Sequence, residues 1–390
     1  MKRWAVIMSA LAFIQGARAL SLPAPLPTTT SAVSLANPAA LPAPLLTQDY
    51  VGLSLLWHRA GHWHADNDLI LTLAIHHQHV YWADPSGHVY AFKLQNGESE
   101  WTRAWNEPFS TSIAATDSLL IVGAMGHLFA FNASNGQLQW KKLLSGEVLG
   151  KPIVRHHTVL VKTEDDSVYA LSENKGHLLW AHPSSTPSTS LRIGSAPAVN
   201  DSLMITGRSE GSVVAFDAKE GALKWFQPIA TPHGEALERV VSINATPVIH
   251  HNRVYAVAYQ GPLVALDISN GHVMWQYSVS SYTGLSINQN GLFLSDDQGY
   301  LWGFNPVTGK VLWKSEKFSS QPVSAPTLYQ TVLFITTAQG QLLELSQKTG
   351  QVLARLQATH SAMIAPPLLK QHQLCVVSQT GEIACYRLWR

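Results

Sequence analysis

The chain has 390 residues, 46% of them hydrophobic, with 26 Lys and Arg set against 25 Asp and Glu for a net charge of +1. With only 13% charged residues and no excess of either sign, it carries neither the basic footprint of a nucleic-acid binder nor a polybasic membrane patch. The apolar fraction is enough to give one closed domain a large core.

Residues 1–19 read as a secretory signal peptide: Lys2-Arg3, an apolar run over 4–14, then Ala17-Arg18-Ala19 as an A-x-A cleavage site. No cysteine stands directly after that site, the chain's two being Cys375 and Cys385, so export without a lipoprotein anchor is expected. Residues 20–49 are rich in Pro, Ala, Thr and Leu and read as an extended tether, and residues 50–390 as the folded domain.

That domain opens on an isolated apolar strand, Leu53-Ser54-Leu55-Leu56-Trp57, and then repeats one pattern: Gly-x-Leu/Val-aromatic-Ala-Phe/Leu-Asp/Asn-x-x-x-Gly-x-x-x-Trp. Copies start at Gly87, Gly126, Asp166, Gly211, Gly261, Gly299, Gly340 and, truncated, at Gly381. Starts lie 38 to 50 residues apart, a period of four short strands per unit, which predicts an all-β, eight-bladed propeller of four-stranded antiparallel blades. Within a copy both phases of the period-2 alternation are apolar, as in Val89-Tyr90-Ala91-Phe92, so the strand is expected to be sandwiched between blades. The Asx-x-x-x-Gly step supplies a turn, and the Trp beyond it should fill the widening gap at the outer edge. The last copy lacks room for a fourth strand, so Leu53 to Trp57 is expected to complete the eighth blade and close the ring.

Three histidine doublets, His76-His77, His156-His157 and His250-His251, fall in the turn between the first and second strands of their blades. Because equivalent turns are spread around a ring, solvated turn residues are expected rather than one metal site. Asp84, Glu164, Asp165, Glu210, Asp296 and Asp297 all fall in the loops between second and third strands, which should make that face acidic. Two connections on the same face are longer than the rest, about 183–194 and 227–244, and together should form a raised patch holding Leu191, Arg192, His233, Glu235, Glu238 and Arg239. Cys375 and Cys385 flank the last hairpin symmetrically and read as either a disulfide or two buried thiols. No Gly-rich phosphate loop, G-x-S-x-G elbow or H-E-x-x-H occurs, and the assignable channel positions are Ala, Val and Leu, so catalysis is not expected.

Two stretches carry a family likeness. Ser190-Leu191-Arg192-Ile193-Gly194-Ser195-Ala196-Pro197 resembles the S-L-R-G-x-S-A-P segment of the BamB family of PQQ-like propellers. Thr246-Pro247-Val248, the run Val254-Tyr255-Ala256-Val257-Ala258-Tyr259-Gln260-Gly261, Leu266-Asp267 and Gly271-His272-Val273-Met274-Trp275 resemble its fifth blade. The resemblance implies a non-enzymatic scaffold of the outer-membrane β-barrel assembly machinery, periplasmic at the inner face of the outer membrane and without cofactor. It would bind the periplasmic POTRA domains of the insertase BamA and, more weakly, unfolded barrel substrates, and be a monomer outside its complex. The family's Leu-Arg contact carries over to Leu191 and Arg192. Glu238, Arg239, Ser242 and Asn244 of the second long loop, with Asp296 nearby, complete the expected partner-binding set. The chain departs from the family pattern at Thr189, where a leucine is usual, and at Ser242 and Asn244, where acids are usual. Two other readings share the repeat: a PQQ-dependent dehydrogenase, which resembles longer chains with a vicinal Cys-Cys pair and a Ca²⁺ site, and a propeller serving another envelope complex.

Overall fold

In a computed structural model, residues 50–61, 72–184, 194–230, 241–316, 318 and 323–389 are described, and all their regular structure is strand. The expected signal peptide and tether lie outside these residues, as do Leu191, Arg192, His233, Glu235, Glu238 and Arg239.

The strands form eight four-stranded antiparallel sheets, an eight-bladed β-propeller. Blades 1 to 7 span 74–104, 114–143, 153–182, 198–228, 248–277, 285–314 and 327–357; their strands are lettered A to D from the channel outward. Blade 8 takes three strands from 368–389 and its fourth from Gly52–Arg59, paired antiparallel with Ile383–Trp389. The orphan N-terminal strand therefore closes the ring, and blade 8 has no missing edge. The apolar alternation is buried on both faces, as at Leu128, Phe129, Ala130 and Phe131, none more than 1% exposed.

The repeated Trp proves to be an interlock between blades. Seven D-strand indoles, Trp57, Trp101, Trp140, Trp180, Trp225, Trp275 and Trp313, each donate Nε1–H to a carbonyl in the C–D turn of the next blade, at 2.7–3.3 Å. That carbonyl follows the turn's Asx position in four cases: Ala133, Ala218, Ile268 and Pro306 accept from Trp101, Trp180, Trp225 and Trp275. The turn glycine must be glycine for two reasons, seen at Gly176: its φ is +62°, and a Cβ would lie 2.6 Å from the Trp140 ring. On its own sheet each Trp faces a small C-strand residue, such as Ala91 opposite Trp101 and Gly303 opposite Trp313.

Only the junction between blades 7 and 8 departs, since Ala354 stands where the Trp would be. Its cross-strand neighbour is Glu344 rather than the Ala, Gly or Cys seen opposite the indoles, and Glu344 Oε1 accepts the Val51 N–H at 2.7 Å. A polar clasp on the incoming N-terminal strand thus replaces the indole lock.

Cys375 and Cys385 are direct cross-strand partners in blade 8, both fully buried, and their sulfurs are joined. The bridge closes a loop with a sequence separation of only 10, so replacing both by alanine should lower stability by about 2 kcal/mol, readable as a shift in guanidinium midpoint.

Candidate partner-docking face

The B–C and D–A loops share one face, and both long connections belong to it. Their tips are not described, but their feet are. At the end of the first, Gly194 packs backbone against backbone on the preceding D–A loop: a Cβ there would fall 2.2 Å from the Leu149 carbonyl carbon. Ala196 N then donates to Thr246 Oγ1 of the next blade at 3.0 Å. At the end of the second, Ile243 N donates to Arg208 O at 3.1 Å and Tyr259 N to Ser242 O at 2.8 Å, stitching the segment to the B–C loops of blades 4 and 5. Gly207 admits the Ile243 side chain, whose Cγ2 would lie 2.2 Å from a Cβ.

Ser242 and Asn244, expected among the partner contacts, are 0% and 6% exposed, and the Asn244 amide donates to Ser242 Oγ at 2.8 Å. Here the chain descends into the wedge between blades, and polar side chains entering it must pair internally. In this fold their hydrogen bonds hold the foot of the loop together. Asp296 is held in the same way: 5% exposed, it accepts from the backbone N–H of Gln298 and Tyr300 and from Trp302 Nε1 at 2.8–3.0 Å. Asp84 repeats the device in blade 1, with its Oδ2 accepting from the Tyr90 hydroxyl. The Asp165 carboxyl is pushed up by burial, yet hydrogen bonds from Thr163, Ser145 and Ser167 outweigh this and hold it below the usual range. The carboxylates do gather on one face, but these three direct most of their acceptor capacity to their own turns.

Sequence reasoning missed Asp166. It stands where most copies open with Gly, in a left-handed conformation at φ +62°. Its Oδ1 lies 3.2 Å from Lys162 Nζ, and its Oδ2 accepts from Ser209 N at 2.8 Å, while Lys162 Nζ donates to Gly207 O at 2.8 Å. This buried pair ties blade 3 to blade 4 below the feet of both long loops. The one visible signal was an Asp at a glycine position. Beside the foot of the second loop an open groove of about 670 Å³ runs between blades 5 and 6, lined by Ile229, Gln260, Tyr277, Asp297, Trp302 and Lys314.

The histidine doublets occupy A–B turns, as expected, and adjacent turns also meet across the blade junction: His76 and His77 share Asp117 of the next blade, and Arg155 and His156 share Asp201. Near the channel neighbouring blades are close enough for consecutive turns to touch, even though the turns as a set are dispersed.

A family model described as outer membrane protein assembly factor BamB matches residues 85–315. The chain belongs to this family. It is 28% identical over 275 residues to BamB of Shewanella oneidensis, covering 67% of this chain and 70% of that one. It is also 28% identical over 263 residues to BamB of Yersinia pestis, covering 64% and 67%. The solved BamB of Moraxella catarrhalis superposes with a TM-score of 0.77 at 22% identity, over 86% of this chain and 100% of that one. A quinohemoprotein alcohol dehydrogenase from Pseudomonas putida HK5 superposes with a TM-score of 0.67 at 13% identity, over 86% and 76%, a likeness of fold alone. Unlike the vicinal pair expected of a quinoprotein dehydrogenase, the two cysteines of this BamB-family chain are 10 residues apart.

Proposed function

We propose that this chain is a non-enzymatic scaffold of outer-membrane β-barrel assembly, held on the periplasmic side and docking POTRA domains of the insertase BamA through its paired long loops. The observation that carries the reading is the anchoring of two neighbouring long connections on one face, at Gly194 and Ile243, in a chain of the BamB family. Feet fixed by the neighbouring blades lower the ordering cost of a binding loop, which is how propeller faces serve as binding platforms. Leu191 supplies the apolar anchor and Arg192 the charged one, with Glu238 and Arg239 on the second loop; Ser242, Asn244 and Asp296 act only by holding the framework. Unfolded barrel substrates are a second partner class, reached through exposed outer strands such as Val311–Lys314.

A pull-down from detergent-solubilised envelopes tests the reading. The intact chain should recover the barrel insertase, identified by mass spectrometry, and Leu191→Ala/Arg192→Ala should recover at least tenfold less. Recovery of other envelope proteins without the insertase would overturn it.

A further inference from the structure

Three blade junctions place a matched pair of turns side by side with different donor sets. Between blades 1 and 2, Nε2 of His76 and Nε2 of His77 each lie 2.8 Å from the same Asp117 Oδ1, and the three ligand atoms fall within 4.8 Å of one another. Between blades 3 and 4 the first position is Arg155, whose Nη2 and Nε donate to Asp201 Oδ1 at 2.5 and 3.1 Å, with His156 Nε2 at 2.9 Å. Between blades 5 and 6 the imidazole pair returns as His250 and His251, ring centroids 4.2 Å apart, but the position equivalent to Asp117 is Gln289.

We propose that His76, His77 and Asp117 form a surface site for a borderline divalent transition-metal ion of the Zn²⁺, Ni²⁺ or Cu²⁺ class, clipping blade 1 to blade 2 on the face opposite the long loops. Two imidazoles and a carboxylate are the donor set that favours these ions over Ca²⁺ and Mg²⁺. Around a tetrahedral Zn²⁺ with bonds of about 2.0–2.2 Å, ligand atoms sit roughly 3.3 Å apart, so the present contacts need open by only about half an ångström. The exposed side of the cluster leaves room for a water as fourth ligand: the side chains of His77 and Asp117 are 70% and 86% accessible. The arrangement is fixed from below, because His77 sits at φ +50° in a two-residue turn and its ring meets that of His76 edge-on at 4.3 Å. Arg155 cannot ligate and already neutralises Asp201, and Gln289 offers no carboxylate, so the other two junctions act as internal controls.

Zinc titration of the full chain by calorimetry, after chelator treatment and with Ca²⁺ as a comparison ion, tests the site. One zinc per chain should be lost, or bound at least tenfold more weakly, in His77→Gln and separately in Asp117→Asn, while His156→Gln binds as the parent does. Zinc should also raise the melting temperature of the parent and not of the first two variants. Background uptake by histidines elsewhere, His62 and His64 among them, is equal in all four proteins, so the comparison reads the difference. Identical isotherms in parent, His77→Gln and Asp117→Asn, or no uptake at millimolar zinc, would overturn the proposal; circular dichroism confirms that each variant is folded.

Discussion

Replacing Trp57 by alanine is expected to lower the unfolding free energy by about 4 kcal/mol, a fall in melting temperature of roughly 6 °C. Trp57 is 7% exposed on the ring-closing strand, its Nε1 donates to Leu94 O at 2.8 Å, and its ring lies beneath Gly97 of blade 1. It also packs against Phe92 at 6.4 Å between centroids, in a cluster shared with Val80, Leu94, Cys375 and Cys385. Truncation removes the indole from the seam between blades 8 and 1, opens a cavity and leaves the Leu94 carbonyl unpaired. Because only the strand Gly52–Arg59 completes blade 8, loosening it exposes a sheet edge, so aggregation on heating should increase as well. Trp57→Phe keeps most of the ring and should cost about 1 kcal/mol for the lost hydrogen bond. Phe226→Ala, at a side chain nearly half exposed on an outer strand, should cost less than Trp57→Ala by a wide margin. A melting point for Trp57→Ala within a degree or two of the parent would refute the interlock.

The second large effect is a pH dependence centred on Glu344. Its side chain is 1% exposed, Oε1 accepts from Val51 N, and Oε2 is buried without a partner among the described residues. Burial, opposed only by the Val51 hydrogen bond, pushes its carboxyl from 4.5 up to about 7. Between those values the folded state holds a proton that the unfolded state has lost, so stability falls as pH rises through this window. The contribution is fully present below pH 4.5 and gone above about pH 7, a change of about 3 kcal/mol at 1.36 kcal/mol per pH unit. Glu344→Gln keeps the acceptor for Val51 and removes the charge. Relative to the parent, the variant should therefore gain about 3 kcal/mol between pH 4.5 and pH 8, measured as the difference in urea-unfolding free energies so that other titrating groups cancel. A difference that does not move with pH would show that Glu344 titrates normally in the fold.

The architecture was legible because each copy of the repeat carries its own instructions: turn glycines, an Asx cap, a doubly apolar strand and a Trp at fixed spacing. Even the closing role of Leu53 to Trp57 followed from a strand missing at one end and a surplus one at the other. What the sequence concealed lies between blades, where partners belong to different copies of the repeat and no single-strand period records them. Glu344 reads as an odd residue in an apolar strand until Ala354 is seen opposite it and Val51 N against its oxygen. His76, His77 and Asp117 likewise belong to different copies, and only the close passage of neighbouring turns joins them. Ser242, Asn244 and Asp296 show the converse: a polar residue in a surface loop looks available, yet a loop foot or a tight turn requires such groups for its own backbone. The two long loops were recognisable by length and by the Ser-Leu-Arg segment, features that mark a surface without specifying its conformation.

The most direct test of the scaffold reading is the affinity of the purified chain for isolated BamA POTRA domains, measured for the parent, for Leu191→Ala/Arg192→Ala and for Phe226→Ala as an outer-strand control. Saturable binding by the parent and the control, weakened tenfold or more in the double variant, is the expected result. Equal affinity in all three folded proteins, or no binding by the parent, would contradict docking through the long loops.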